Sequence, residues 1–429
     1  MRHFFTVASL CSILFLVTAV ESSGQSTAVP MRSHPLEPTS FGFQCVNGSS
    51  CGSNGSWITS ITQPGTVRLW DAGTPWAILQ KSSNTYNWSN LDTWLDMIAA
   101  HQPMAVIYTF GHVPCFIASV ACNVKSTSSK YWSTAVPKDL NTSGSATFNN
   151  FVTALTKHCS AKGNCVRTYI KYFELWNEPN LSYFWTGTQA QLYNMVKPAV
   201  AIIRSNVAGA VISTPAICGG DKPYMTSWLN LENSKGRLSD YYSIHSYLST
   251  YEPEARMDII AKMVQVKNDA GWTRTPWMNT ETNFDVGTYL CDAQFTVADC
   301  RGQFVRWHVL QYAYQGGAGG AIHVGWYNWP SITSGGYDTY YYTMMKWLEG
   351  STFTTSCSNS GNVYTCPLTE ANGAIALIVW NTTGNTTYTP ASQYVNYREF
   401  DGTYGGATVS ISPGQKTTIG LIPVMFETK

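Results

Sequence analysis

The chain has 429 residues, with 26 Lys and Arg against 25 Asp and Glu, a formal net charge of +1. That balance leaves no basic stripe for a phosphate backbone to grip, which argues against nucleic acid as a partner. Only 12% of the residues are charged, but 44% are hydrophobic and 14% aromatic, so the chain collapses rather than staying disordered and suits neutral polar ligands.

The predicted elements begin with a leader. Arg2 and His3 precede an apolar run from Phe4 to Val20, and the small residues Ser22, Ser23 and Gly24 follow. Residues 1–24 read as a signal peptide, too short to span a bilayer, and no later stretch resembles a span. The expectation is a secreted, extracellular protein (periplasmic if bacterial), with no membrane partner once the leader is cleaved. Residues 25–40 are expected to be a linker or a strand that joins a later β-domain.

Short, nearly continuous apolar runs then recur. Phe41–Cys45, Thr66–Trp70, Met104–Phe110, Tyr169–Trp176, Ala210–Thr214, Tyr242–Ser246, Pro276–Glu281 and Gly320–Trp326 read as parallel strands covered on both faces. Helical periodicity sits between most of them, at Leu91–His101, Ala146–Lys162, Thr188–Asn206, Tyr251–Ala270 and Ala298–Gln315. Strand–helix alternation of this kind outlines an α/β fold, a (β/α)8 TIM barrel over residues 41–348. A doubly wound sheet is disfavoured because no Gly-rich nucleotide loop follows the first strand. Beyond it, Gly373–Trp380, Ser392–Phe400, Ala407–Ile411 and Thr417–Phe426 alternate between turn residues, which predicts a small sandwich-like all-β domain over 349–429.

Eleven cysteines lie outside the leader, and ten form close sequential pairs. The expected disulfides are Cys45–Cys51, Cys115–Cys122, Cys159–Cys165, Cys291–Cys300 and Cys357–Cys366, as suits an oxidising compartment. Cys218 is left over and reads as a buried inert thiol. With no CxxC pair or His cluster, no metal is expected, and no cofactor either.

Chemistry concentrates in two segments. Tyr172-Phe-Glu-Leu-Trp-Asn-Glu-Pro-Asn180 puts Glu178 just past the fourth strand, on the face of a barrel that carries active sites. Asn177 before it offers an amide to a sugar hydroxyl, and Pro179 fixes the turn. Trp277-Met-Asn-Thr-Glu-Thr-Asn283 puts Glu281 at the end of the seventh strand, 103 residues later. Two carboxyls facing each other across a barrel opening is the arrangement that glycoside hydrolysis requires. Asp285 lies past the strand end and ranks below Glu281; Glu174, four residues before Glu178, reads as structural. His112 ends the third strand, placed to bond a sugar hydroxyl.

Leu175-Trp-Asn-Glu-Pro-Asn180 resembles the acid/base motif of the clan of retaining (β/α)8 glycoside hydrolases. Arg68 in Val67-Arg-Leu-Trp-Asp71 resembles the clan's strand-two arginine, which holds the nucleophile. His245 and Tyr247 resemble its strand-six His-x-Tyr, and Trp326 resembles the strand-eight tryptophan that floors the sugar site. The runs Val67–Trp76, Tyr86-Asn-Trp88 and Tyr108–Pro114 are most similar to glycoside hydrolase family 39. The resemblance implies a retaining glycosidase of the xylosidase, arabinosidase or endo-glycanase kind. It acts on plant or microbial polysaccharide or oligosaccharide, with Glu178 as acid/base and Glu281 as nucleophile. It implies that Arg68 and Tyr247 stabilise charge on Glu281, and that His245 orients Tyr247 or a sugar. The alternative is a non-catalytic carbohydrate-binding or wall-associated protein on a barrel scaffold, against which the intact carboxyl pair argues. The motifs do not specify the sugar, the linkage or the oligomeric state.

Overall fold

Strands that are apolar on both faces need cover on both faces, and a closed ring of helices supplies it. A computed structural model of the protein describes residues 35–45, 63–70, 72–120, 122, 132–247, 253–283, 297–318, 320–327, 336–403 and 405–429. Eight parallel strands form one sheet: β1 (Phe41–Cys45), β2 (Thr66–Leu69), β3 (Ala105–Thr109), β4 (Tyr172–Glu174), β5 (Val211–Ser213), β6 (Tyr242–Tyr247), β7 (Trp277–Asn283) and β8 (Gly320–Tyr327). Their order is β5-β4-β3-β2-β1-β8-β7-β6, and a parallel bridge from Ser213 to Tyr241 brings the two edges together. This is the expected TIM barrel.

The helices around it are α1 (Ser89–Ala100), α2 (Ala146–Lys157), α3 (Gln189–Asn206), α4 (Lys222–Lys235), α5 (Met257–Asp269), α6 (Val297–Ala318) and α7 (Tyr337–Leu348). Local chemistry sets their starts. The Ser145 side chain accepts from the Phe148 amide at the head of α2, and Thr188 and Gln191 form a capping box at the head of α3. Helix α4 has no clear apolar stripe in the sequence. Its inner face is Met225, Trp228, Leu229 and Glu232. Buried Glu232 accepts from Trp228 Nε1 (2.8 Å), Ser239 Oγ (2.7 Å) and the Leu238 and Ser239 amides (3.0 and 3.1 Å), so a polar residue completes the face.

Three other segments differ from expectation. Strand β4 is shorter than the 169–176 run, because residues Val166–Tyr169 form a helical turn before it. The run 417–426 splits into Thr417–Ile419 and Val424–Glu427, interrupted by Gly420 and Pro423. Val363–Thr369 is a strand despite Pro367, a residue that ordinarily argues against one.

The C-terminal strands form an antiparallel sheet in the order Thr352–Phe353, Val363–Thr369, Ile375–Asn381, Val424–Glu427, Asn396–Glu399, Ala407–Ser410. Its Trp380, Phe400 and Met425 belong to the same apolar cluster as Trp347 and Leu348 of α7. The Phe400 ring lies 4.5 Å from Trp347 and 5.0 Å from Tyr340. Leu36 exchanges backbone hydrogen bonds with Gly350 and Ser351 (2.8 and 2.9 Å), so the segment before β1 runs beside the junction as a 3-10 turn at Pro38–Ser40.

Disulfides join Cys115–Cys122, Cys159–Cys165 and Cys357–Cys366, as expected. The expected Cys45–Cys51 pair and the Cys291 end of the Cys291–Cys300 pair fall outside the described side chains. Cys218 is not a leftover thiol: it is disulfide-bonded, and so is Cys300. No helix among the described residues is long and apolar enough to cross a membrane.

Candidate active site

Strand ends β1, β2, β4, β6 and β7 converge on one buried polar cluster. Arg68 from β2 is at its centre. Its Nη1 donates to Gln44 Oε1 (2.8 Å) and Glu281 Oε2 (2.6 Å); its Nη2 donates to Glu174 Oε1 and to Asn177 Oδ1 (2.8 Å). Burial opposes the charge on Arg68, but the fields of Glu174 and Glu281 prevail and hold its pKa above the ordinary arginine value. The guanidinium is therefore a fixed cation shared by two carboxylates.

Glu281 reaches this cluster through a bulge in β7. Ile244 of β6 pairs with Asn279, but the next residue, His245, pairs with Glu281; against β8, His323 pairs with Asn279 and Gly325 with Thr282. The extra residue in β7 breaks the in-out alternation. Thr280 bonds Ser243 Oγ (2.7 Å), which bonds Glu174 Oε2 (2.9 Å), and the neighbouring Glu281 also points inward, to Arg68. Two consecutive side chains thus enter the barrel. The Tyr247 hydroxyl donates to Glu281 Oε1, so both carboxyl oxygens of Glu281 are held.

Glu178 has a different environment. Its backbone is left-handed, with φ at 41°, a costly conformation for a residue with a side chain. The Glu178 amide donates to Ala216 O (2.8 Å), and Leu181 N donates back to Glu178 O (3.0 Å), which fixes the turn. Its Oε1 lies 2.8 Å from His245 Nδ1. Burial and the Arg68 charge hold the His245 pKa well below the ordinary 6.5, so the imidazole is neutral. One oxygen of Glu178, one of Glu281 and one ring nitrogen of His245 all lie within 4.8 Å of one another. That trio has the donor types for a cation, but Arg68 and Tyr247 already occupy Glu281.

The predicted residues mostly meet here. Arg68, Asn177, Glu178, His245, Tyr247 and Glu281 share the cluster. Asn177 Nδ2 and His245 Nε2 are buried with no hydrogen-bond partner among the described residues, which leaves polar atoms for a ligand. Two expectations change. His245 contacts Glu178 rather than orienting Tyr247, because alternate residues of β6 point to one side but reach different carboxyls. Among the described residues His112 has no hydrogen bond to this cluster: its ring stacks on Trp132 (centroids 3.9 Å apart, planes at 13°), and its buried Nε2 has no partner there. Trp326 is on β8 and pairs with Gln44, at the level of the site; its side chain is outside those described, and Asp285 is outside the described residues. Sequence reasoning missed Gln44, which carries no motif. It read Glu174 as structural, and the structure shows Glu174 as the second, fully buried carboxylate on Arg68.

Comparison with known proteins finds similarity in sequence and in fold. The sequence model of glycosyl hydrolases family 39 matches residues 77–274. A β-xylosidase of Geobacillus stearothermophilus is 30% identical over 169 residues, which cover 38% of this chain and 31% of that protein. The match thus spans about a third of that relative's length. Among solved structures, a family 39 glycoside hydrolase from the gut symbiont Bacteroides cellulosilyticus superposes with a TM-score of 0.64 at 12% identity, over 92% of this chain and 81% of that one. A family 39 β-xylosidase from Caulobacter crescentus gives 0.59 at 13% identity (92% and 97%), and a glucosidase from Croceicoccus marinus gives 0.61 at 12% (93% and 97%). At such identities the structural likenesses speak for the fold alone. Over residues 77–274 the chain is similar in sequence to glycosyl hydrolases family 39, and its fold is that of the solved family 39 structures.

Proposed function

We propose that this protein is a secreted retaining glycosidase, β-xylosidase-like in its preference, that works by double displacement on oligosaccharide or polysaccharide. The observation that supports the reading most is the separation of Glu178 and Glu281: their nearest oxygens are within 4.8 Å. Retention calls for carboxyls about 5–5.5 Å apart, whereas inversion needs about 6.5–9.5 Å to admit a water. The two environments also differ in the required sense. Arg68 and Tyr247 favour an ionised Glu281. Glu178 faces a neutral His245, which suits a group that must carry a proton.

In the first step Glu281 attacks the anomeric carbon, the bond to the leaving oxygen breaks, and Glu178 gives that oxygen its proton. In the second, Glu178 takes a proton from water, the water oxygen attacks the same carbon, and the Glu281 carboxylate leaves. Among the described residues Asn177 Nδ2, a donor, and His245 Nε2, a donor or acceptor, have no hydrogen-bond partner and are available to sugar hydroxyls beside the reacting carbon. The three disulfides suit an extracellular setting.

The test is hydrolysis of aryl glycosides and oligosaccharides, β-xylosides first, by native protein and Glu281→Gln, with the anomer of the first-formed product read by NMR. Turnover with retained configuration, lost by several orders of magnitude in the variant, is expected. An inverted product, or equal turnover by both proteins, refutes the mechanism.

A further inference from the structure

On the β6 side, strand β7 gains its extra residue, Thr280, between Asn279 and Glu281. The backbone ladder is broken at such a place, and a buried carbonyl there calls for another donor. Asn279 is fully buried and spans the break. Its Nδ2 donates to Glu281 O (3.0 Å) on its own strand and to Ile244 O (3.1 Å) on β6. Carbonyls only accept, which fixes the orientation of the amide. Its Oδ1, at the other end, accepts from Ser246 Oγ (2.7 Å). We propose that Asn279 is a positioning residue that holds the β7 bulge in register and so sets the aim of Glu281; this rests on the glycosidase reading above, in which Glu281 attacks.

The surroundings support that role. Thr280 and Glu281 turn into the barrel, toward Ser243 and Arg68. The residues on either side of them, Asn279 and Thr282, meet helix α6 instead. The Gln311 amide lies 2.5 Å from the Asn279 amide, and Trp307 Nε1 donates to Thr282 Oγ1 (3.1 Å). Trp307 and Gln311 are four residues apart, so they share one face of α6. Thr282 Oγ1 in turn donates to Ser246 O (2.5 Å) on β6. Ser246, Thr282 and Gln311 are all buried. Side chains thus tie β7 to β6 and to α6 both before and after the bulge.

The residue type follows from the contacts. Two carbonyls on one side and a hydroxyl on the other call for donors at one end and an acceptor at the other, which a primary amide provides. An ionised aspartate has the same shape and no donor. The bond to Glu281 O holds the backbone of the residue whose carboxyl oxygens meet Arg68 and Tyr247. Slack in that backbone carries the carboxylate away from the line of attack. A misplacement of about 1 Å costs about 100-fold in a reaction between oriented groups.

The test separates attack from binding and from stability. With 2-deoxy-2-fluoro-β-D-xylosyl fluoride a Glu281 oxygen bonds the anomeric carbon, fluoride leaves, and the ester accumulates because its hydrolysis is slow. Labelling is followed by protein mass in native protein, Asn279→Asp, Asn279→Ala and Trp228→Phe, the last a control that removes a different buried hydrogen bond, to Glu232. The maximal labelling rate is expected to fall about 100-fold in both Asn279 variants, with the half-saturating concentration within about twofold of native, and to stay native in Trp228→Phe. Native rates in both Asn279 variants overturn the proposal, as does an equal loss in Trp228→Phe. The crystal structure of Asn279→Ala judges the aim of Glu281 without any reaction: a carboxylate parted from Arg68 supports the proposal, and an unmoved contact overturns it. If Asn279→Ala does not fold, Ser246→Ala, which removes the donor to Asn279 Oδ1, replaces it in both measurements, with about a tenfold loss expected and the same displacement as the criterion. If native protein is not labelled, the glycosidase reading fails, and the crystal structure alone decides the positioning role.

Discussion

Replacing Arg68 by Met keeps the side-chain length and removes the charge at the centre of the site. The substitution leaves Glu174 and Glu281 buried without their shared cation, and leaves Gln44 Oε1 and Asn177 Oδ1 without a donor from this residue. Removing one member of a buried pair costs about 3–5 kcal/mol, because the other charge stays uncompensated. The protein can lessen that cost by protonating a carboxyl. A cation within contact distance lowers a carboxyl pKa by about 1–3 units, so its loss raises it by the same amount. Catalysis needs Glu281 ionised, so the acidic limb of the kcat/KM profile moves to higher pH by about 1–3 units. Activity falls at low pH and partly returns as pH rises. The assay is the pH–rate profile of both proteins on one aryl glycoside, beside urea unfolding at pH 5 and pH 8. A limb that stays in place, or a stability loss under about 1 kcal/mol, refutes the view that Arg68 governs the charge on Glu281.

Three other perturbations have definite outcomes. Glu178→Ala is expected to lose about 100- to 10,000-fold in kcat/KM on a poor leaving group, and far less on a dinitrophenyl glycoside that needs no proton; equal losses on both refute its role as acid. Burial pushes the His308 pKa down from 6.5 to about 3. The unfolded chain therefore takes up a proton that the native one refuses, and stability is lost as pH falls below 6.5, by about 1.4 kcal/mol per pH unit. His308→Asn should flatten the slope of unfolding free energy between pH 6 and pH 5, measured with urea, and an unchanged slope contradicts this. Burial, then the neighbouring Glu370, push Glu427 up to about 7 against the pull of Arg398. Here the native state holds the proton more tightly, so stability present below pH 4.5 is lost as pH rises toward 7. In Glu427→Gln the decline between pH 5 and pH 8 should be smaller, as differential scanning calorimetry would register.

Much of this protein was legible along the chain. Apolar runs bounded by turns located the eight strands, because a strand covered on both faces admits few polar residues. The polar residues that do sit at the strand ends, Arg68, Glu178, His245, Tyr247 and Glu281, stand out for the same reason. Close cysteine pairs were readable where a short loop can close on itself, as at Cys159–Cys165. Tertiary structure alone decided the rest, wherever contacts link distant segments. The bulge in β7 that turns both Thr280 and Glu281 inward arises from register against β6 and β8, which no single strand encodes. The choice of His245 for Glu178 and Tyr247 for Glu281 depends on which wall each side chain faces across the barrel. Glu174 reads as structural in sequence, but only the tertiary structure shows its partner, the Arg68 guanidinium, and only the Ser239 turn supplies partners to the buried Glu232. Periodicity is local and survives in one dimension. Charge pairing and ring stacking depend on distances in space, which the chain sets only once the barrel has closed.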